Sequence, residues 1–467
     1  MAPDDEVIDV ALPDSVGRVL RTLGEAGHEV ALVGGVVRDR LRRRVSEGAD
    51  WDAATSARPE QVAALFAEAT WENRFGTVTA NGTPRVEITS YRTEGGYRDR
   101  RRPDEVRFGA SLEEDLARRD FTINAIAWVP IDLAAGRGRL VDPFGGGRDL
   151  EAGVLRTVGD ADERFAEDAL RLVRAARFAG RFGLALDPAT EAAIRRRAPT
   201  VATVSGERIR DELLRILDDE LPSRGLRLLE RLGLLGVILP EVQALRGIPQ
   251  TKVVAGDALD HSLAAVDAAA PDRAVRLAAL LHDIGKSTTL ADGHFIGHER
   301  VGAELAGRLL RRLRMPVATS SRIVDAIREH MYTYDEGWTD AAVRRFIRRV
   351  REDRMPLLFA LRRADNAASG VGRAGEENQA QLERRIAEEL AASPDLLRRR
   401  RLAIDGNDLR ASLGIEPGPR IGRILERLGE AVLDDPERNR PETLLEMARQ
   451  IDADAAVPEG TGAEQDG

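Results

Sequence analysis

Residues 49–55 read "ADWDAAT", and residues 32–39 just upstream read "LVGGVVRD". The first stretch sets two carboxylates, Asp50 and Asp52, on either side of Trp51. Alternate residues of a strand project to one face, so both acids would point the same way. Like charges side by side repel, and each raises the pKa of the other. A solvated loop, or a helix start that favours acids, is the plain explanation for one such pair. The neighbouring residues favour another. "HEVALV" (28–33) is a short apolar strand, "GG" at 34 and 35 breaks it, and "VVRDRLRRR" looks like a helix start. Backbone N–H groups of Gly34 and Gly35 at such a turn can cradle phosphate. Arg38, one turn into the helix, adds a guanidinium to the same place.

"TVTA" (77–80) and "RVEITSYR" (85–92) read as strands joined by the turn sequence "NGTP", which puts Glu87 on a neighbouring strand. Asp50, Asp52 and Glu87 on adjacent strands can hold two Mg²⁺ ions. Such ions activate an attacking hydroxyl and neutralise a leaving pyrophosphate. They would also relieve the repulsion between the acids.

The rest of the chain bounds the answer. At ~150 residues per domain, its 467 residues allow roughly three domains. Aromatic residues make up 4% and charged residues 32%, which suits a largely helical protein. Having no cysteine, the chain has neither disulfides nor thiolate-bound zinc. No apolar run approaches the ~20 residues of a membrane span, and "MAPDDEVIDVALPDS" lacks the layout of a signal peptide. The expected location is the cytoplasm. A net charge of −9 excludes a bulk polycation, so nucleic-acid contacts must come from local clusters. "RDRRR" (98–102), "RRR" (195–197) and "RRRR" (398–401) are the candidates, each by itself an ordinary solvated face.

The first 150 residues mix strand and helix signals. From Asp162 onward helical spacing dominates, as in Leu170, Val173, Arg174 and Arg177, or Leu213, Leu214 and Leu217, and almost no strand is expected. "LPEVQALRGIPQ" (239–250) reads as a junction between helical units. The closing "DADAAVPEGTGAEQDG" has too little apolar content to pack.

"LVGGVVRD" followed by "DWDAAT" resembles the opening of the class II tRNA nucleotidyltransferase and bacterial poly(A) polymerase family. "RRDFTINAIAW" (118–128), "DPFGGGRDL" (142–150), "RFAEDALRLVRAARFAGRFG" (164–183) and "ERIRDELLRIL" (207–217) resemble its second to fifth motifs, in order. The longer, polar "RRRVSEGA" before Asp50 departs from the family pattern. The resemblance implies an α+β protein. A nucleotidyltransferase head with a mixed β-sheet would occupy 1–150. An all-α neck (151–238), an HD body (239–370), a helical tail expected to bind tRNA (371–454) and a disordered end (455–467) would follow.

It also implies roles. Asp50 and Asp52 would bind Mg²⁺ and, with Glu87, be catalytic. Gly34, Gly35, Arg38, Arg119, Asp120, Asn124, Asp168, Arg171, Arg174 and Arg177 would bind the nucleotide. "EDALR" (167–171) carries the sharpest expectation. On one helix Asp168 and Arg171 would share a face. As an acceptor beside a donor, they would fit cytosine and adenine, which present an amino group beside a ring nitrogen, and reject uracil and guanine. The plain alternative is an intrahelical ion pair.

"LLHDIGK" (280–286), with His261 before it and His298, His330 and Asp365 after it, resembles the HD phosphohydrolase superfamily. His261, His282, Asp283, His298, His330 and Asp365 would hold a divalent metal of unspecified identity, and Lys286 a substrate phosphate. "GIEPGPRIG" (414–422) offers backbone N–H groups to an RNA phosphate, or is a plain junction between helices.

The expected function is therefore addition of C, C and A to tRNA 3′ ends from CTP and ATP. HD phosphohydrolase activity would be a second chemistry. A poly(A) polymerase, an A-adding enzyme and a chiefly hydrolytic HD protein are the alternatives. "ENRFGTVTANG" (72–82) stands where poly(A) polymerases carry a basic stretch. The segment 92–108 resembles the flexible loop of full and A-adding enzymes.

Overall fold

The computed structural model describes residues 6–42, 50–66, 69–72, 77–95, 105–250, 256–397 and 402–456. Most of "RRRVSEGA", the centre of the 92–108 loop, the arginine runs at 98–102 and 398–401, and residues 457–467 lie outside the described residues. The chain divides into two compact units, 1–246 with 309–315 and 247–308 with 316–467.

The first unit is built on a sheet of β1 (Val7–Asp9), β2 (Val30–Val33), β3 (Trp51–Thr55), β4 (Thr70–Glu72), β5 (Thr77–Ala80), β6 (Val86–Ser90), β9 (Ala127–Asp132) and β10 (Arg137–Val141). Strands β7 (Arg92–Gly95) and β8 (Glu105–Phe108) form a separate antiparallel pair. The large sheet runs β1-β10-β9-β2-β3-β6-β5-β4. It is mixed, because β3 and β6 pair in parallel while the other neighbours are antiparallel.

"VALV" is apolar throughout because β2 is buried on both faces. Leu32, Ala53 and Ile88 pack with Val16, Leu20 and Leu23 of the helix Asp14–Glu25. Ala31, Val33 and Ala54 face the other way, against Leu112 and Leu116 of the helix Leu112–Ala117. That second face carries the chemistry, since period-two alternation puts Asp52 on the side of Ala54.

Helices then take over. Ala161–Glu167, Leu170–Phe182, Pro188–Arg197, Gly206–Leu217 and Pro222–Arg231 follow one another, and the only further paired strands among the described residues are the two-residue β11 (Val154–Leu155) and β12 (Ala185–Leu186). Gly225 lets two of these helices meet closely: a Cβ added to Gly180 would lie 2.7 Å from the Gly225 Cα.

The second unit is helical, apart from isolated bridges among its described residues. Ala258–Ala268, Arg273–Leu281, Val317–Glu329 and Met355–Ala368 are its central helices, and His298–Arg312 begins within it. Aspartate caps start two of them, Asp257 and Asp272 each accepting two backbone N–H bonds. Near the C-terminus Gly406–Leu413, Pro419–Asp434 and Pro441–Ala456 close a core of their own around Leu409, Leu428, Val432 and Leu444. Here "GIEPGPRIG" links two helices: Gly414 takes a left-handed φ of 67° to end one, and Pro419 opens the next.

Candidate active site and candidate metal centre

A cavity of about 690 Å³ opens in the first unit. Gly34, Gly35, Arg38, Asp50, Asp52, Arg119, Asp120, Asn124, Asp168, Arg171, Arg174 and Arg177 all line it, and arginines outnumber aspartates on its wall. Of the residues expected here, only Glu87 is not on that wall. It is the exposed register partner of Asp52 across the β3–β6 pair.

Asp50 stands just before β3 and is exposed, while Asp52 is half-buried within the strand. Burial pushes the Asp52 carboxyl up. Arg119 opposes the shift, Glu87 and Asp50 add to it, Arg38 opposes it, and the group titrates at about 6. Burial and the two acidic neighbours outweigh the two arginines. Gly34 makes room beside it. Its φ is 71°, and a Cβ there would come within 3.1 Å of the Arg119 guanidinium.

Asp120 is the opposite case. Its Oδ1 accepts from the Asn124 amide at 3.0 Å and the Phe121 N–H at 2.9 Å, and its Oδ2 accepts from Arg174 at 2.7 Å. Burial would push this carboxyl up, but Arg174, Asn124 and Arg171 outweigh it and hold it at about 2. The network continues both ways. Arg38 donates to Asn124 Oδ1 at 2.7 Å and lies over the Phe182 ring at 4.5 Å. On the other side Arg174 lies 3.5 Å from Glu212, which also binds Arg177 at 2.6 Å and Arg215 at 3.0 Å.

The structure corrects the expectation for "EDALR". Asp168 and Arg171 do not share a helix face, because the helix breaks between them. One helix ends at Glu167, Asp168 is extended (φ −147°, ψ 107°), and the next begins at Leu170. Both side chains still reach the cavity. Arg171 pairs with Glu167, and its guanidinium also donates to the Arg164 carbonyl at 3.0 Å and the Arg118 carbonyl at 3.2 Å. Asp168 is held by Arg208 at 3.1 and 2.6 Å and by the Leu170 N–H at 3.0 Å.

Arg208 and Glu212 went unread in the sequence, although both stand in "ERIRDELLRIL". Asp115, fully buried and paired with Arg118 and Arg119 at 2.7 and 3.3 Å, also went unread. A charged residue at a core position of "SLEEDLARRD" was the available signal.

In the second unit all six expected ligands meet. His282, Asp283, His330, His261, His298 and Asp365 are each buried. His261 Nε2 lies 3.3 Å from His282 Nε2 and 3.0 Å from Asp365 Oδ1. Asp283 stands between two sets of nitrogens. Its Oδ2 is 3.3 Å from His282 Nε2, and its Oδ1 is 3.4 Å from His298 Nε2 and 3.9 Å from His330 Nε2. Ligand atoms of His261, His282 and Asp283 fall within 4.8 Å of one another, as do those of Asp283, His298 and His330. Asp50, Asp52 and Glu87 are not gathered so closely.

Backbone carbonyls of Ala279, Phe295 and Ile327 sit 2.8, 2.8 and 2.7 Å from the Nδ1 atoms of His282, His298 and His330. Each carbonyl fixes the tautomer that leaves an Nε2 lone pair facing inward. For His298 and His330 that atom is buried and makes no hydrogen bond. Burial, with His282 beside it, pushes His330 down to about 3, so its ring is neutral at pH 7. Burial acts against the Asp283 charge, but His282, His298 and Lys286 hold its carboxyl well below the usual range. Neutral imidazole lone pairs converging on a carboxylate fit a divalent cation. Lys286 donates to Asp283 Oδ2 at 2.6 Å.

Comparison with known proteins agrees with this division of sites. Residues 30–156 match the Poly A polymerase head domain, 183–245 the "Probable RNA and SrmB- binding site of polymerase A", and 258–369 the HD domain. An A-adding tRNA nucleotidyltransferase of Deinococcus radiodurans is 37% identical, over 86% of this chain and 91% of its own length. A CCA-adding enzyme of Lactiplantibacillus plantarum is 32% identical, over 93% and 95%. The chain belongs to the class II tRNA nucleotidyltransferase family and carries an HD domain. A crystal structure of the Bacillus stearothermophilus CCA-adding enzyme in complex with CTP has the same architecture. Its TM-score is 0.69 at 28% identity, covering 94% of this chain and 98% of that one. Head and HD domain each imply dependence on a divalent metal. Among the described residues, no helix is long and apolar enough to cross a membrane.

Proposed function

We propose that the protein adds C, C and A to the 3′ ends of tRNA from CTP and ATP, in the cytoplasm. One observation carries the reading: a single cavity collects Asp50 and Asp52, the Asp120–Asn124 pair, and Asp168 with Arg171.

Asp50 and Asp52, with Glu87 on the neighbouring strand, would hold Mg²⁺, which when bound would supply positive charge for activating the tRNA 3′ hydroxyl and neutralising the leaving pyrophosphate. The raised pKa of Asp52, about 6, supports this: burial and the neighbouring Glu87 and Asp50 disfavour its charge, and a cation bound there would relieve that cost. Arg38, Arg119, Arg174 and Arg177 bind triphosphate oxygens, together with the backbone at Gly34 and Gly35. Asp120 and Asn124 hold the sugar. Asp168 accepts the exocyclic amino group of C or A, and Arg171 donates to the ring nitrogen beside it. UTP and GTP present an oxygen to Asp168 and an N–H to Arg171, two mismatches in a desolvated site.

Residues 1–150 form the catalytic head and 151–238 the neck that carries the base-selecting groups. Residues 239–370 form the HD domain, and 371–454 a tail that contacts tRNA. In the HD domain His261, His282, Asp283, His298, His330 and Asp365 would hold divalent metal, and a phosphate ester there would meet Lys286. Convergence of buried imidazole lone pairs supports that assignment.

The test is incorporation of each labelled triphosphate into tRNA ending before the CCA, after its first C, and after both. The reading requires CMP, CMP and then AMP. The name of the Deinococcus radiodurans relative favours a second reading, addition of A alone, under which only tRNA ending in CC is extended. A run of A residues, or no incorporation, would overturn both.

A further inference from the structure

The fifth motif, "ERIRDELLRIL", has no part in the function proposed above, yet it sends Arg208 straight to the base-selecting carboxylate. Arg208 grips Asp168 with both prongs of its guanidinium, Nη1 to Oδ1 at 3.1 Å and Nη2 to Oδ2 at 2.6 Å. The Leu170 N–H adds a bond to Oδ1 at 3.0 Å. An ionised carboxylate offers about four lone-pair sites. Among the described residues those three donors fill both sites on Oδ1 and one on Oδ2, leaving a single acceptor site, on Oδ2.

The grip has work to do because Asp168 has no helix to orient it. It is the extended residue between two helices, and its terminal torsion is intrinsically broad and nearly two-fold. A carboxylate free to turn would accept from whatever donor a base offers, including the ring N–H of uracil or guanine. A carboxylate with one acceptor site in a fixed direction accepts only a donor placed where cytosine and adenine carry their amino group. Arg171 is anchored separately, by Glu167 and two carbonyls, so Asp168 depends on its own holder.

Resting on the base-selection reading above, we propose that Arg208 is a specificity-determining positioning residue: its bidentate grip aims the one remaining Asp168 acceptor site into the cavity. Arg208 acts through Asp168 and carries no step of the transfer itself.

The experiment measures kcat and KM for CTP, ATP, UTP and GTP on tRNA ending before the CCA and on tRNA ending in CC. The variants are Arg208→Ala, Arg208→Lys, Asp168→Ala and the Asp168→Ala/Arg208→Ala double variant, each with its Tm recorded. Lysine keeps the charge beside Asp168 but offers no planar fork. Arg208→Lys should therefore fold as the parent does and still lose at least tenfold of the preference for CTP over UTP and for ATP over GTP. Arg208→Ala should lose at least as much. In the Asp168→Ala background, removing Arg208 should change those preferences less than twofold. Three results would overturn the proposal: full discrimination in Arg208→Lys, an equal fall for all four triphosphates, or losses that multiply in the double variant. Unchanged preference in Asp168→Ala alone would instead remove the base-selection reading, and the role of Arg208 with it.

Discussion

In the first unit Asp50 is exposed and Asp52 half-buried on the wall of an open cavity. In the second unit the six candidate ligands are buried, with neighbouring nitrogens and oxygens as close as 3.0 Å. The contrast follows from what each has to hold. A nucleoside triphosphate and an RNA end must enter and leave, so their site is wide and arginine-lined. An ion needs no doorway of that size. In the second unit backbone carbonyls behind three of the imidazoles fix the rings beforehand, so little would be lost in ordering them around one. Even within the cavity the same lesson holds. Asp120, satisfied by Arg174 and Asn124, titrates at about 2, whereas Asp52 titrates at about 6. The first is a strut, and the second is a half-buried acid beside two others, where a cation would be welcome.

The contrast breaks most sharply if the two chemistries cannot be separated. His282→Ala combined with Asp283→Ala should reduce bound transition metal to background, and with it any phosphate-ester hydrolysis. Addition of nucleotides to tRNA should stay within twofold. Metal analysis of the purified protein beside the addition assay checks this. Retained metal, or a tenfold fall in addition, would count against independent sites.

A smaller effect tests the strut. Asp120→Asn keeps the shape and removes the charge facing Arg174. The cost in stability should be about 1.5–3 kcal/mol, the range for a hydrogen bond to a charged group. The loss in kcat/KM should be roughly ten- to a hundredfold, because Arg174 and Asn124 lose their anchor. The sign of the pH effect is fixed: the folded pKa lies below the unfolded one. Asp120 therefore stabilises fully above about pH 4, and that stabilisation is lost as pH falls toward about 2. Melting temperatures of parent and variant should converge over that window.

The smallest effect concerns Asp52. Its proton must leave before it can hold a cation, so the Mg²⁺ concentration for half-maximal addition should rise about tenfold per pH unit below about 6. Above that it should level off. A requirement flat from pH 5 to 8 would mean that Asp52 does not bind the ion.

How much of this could be read from the sequence depended on how rare the residues were and how near to one another. The clustering of the HD residues was legible because the chain has 6 histidines, and four of them stand at spacings that match one family. "VALV" and "VEITS" announced their strands, since a buried sheet demands apolar and β-branched runs. "EDALR" misled for a physical reason: neither glycine nor proline marks the break at Asp168, and unbroken helical spacing on both sides hides it. Arg208 and Glu212 were invisible in their roles because each finds its partner 40 and 35 residues away. Periodicity reports the face a residue occupies, not which charge it meets.

The most direct measurement is single-turnover addition of CMP to tRNA lacking its CCA, by the parent, Asp50→Ala and Asp52→Ala, with tRNA affinity measured alongside. Losing a metal ligand should cost several kcal/mol of transition-state stabilisation, so each variant should be slower by about a thousandfold. Its affinity for tRNA should stay within about threefold, because phosphate contacts made elsewhere supply most of the binding. If both variants kept more than a tenth of the parent rate, Asp50 and Asp52 would not be the catalytic metal ligands, and metal-assisted transfer in this cavity would be ruled out as they are assigned to carry it.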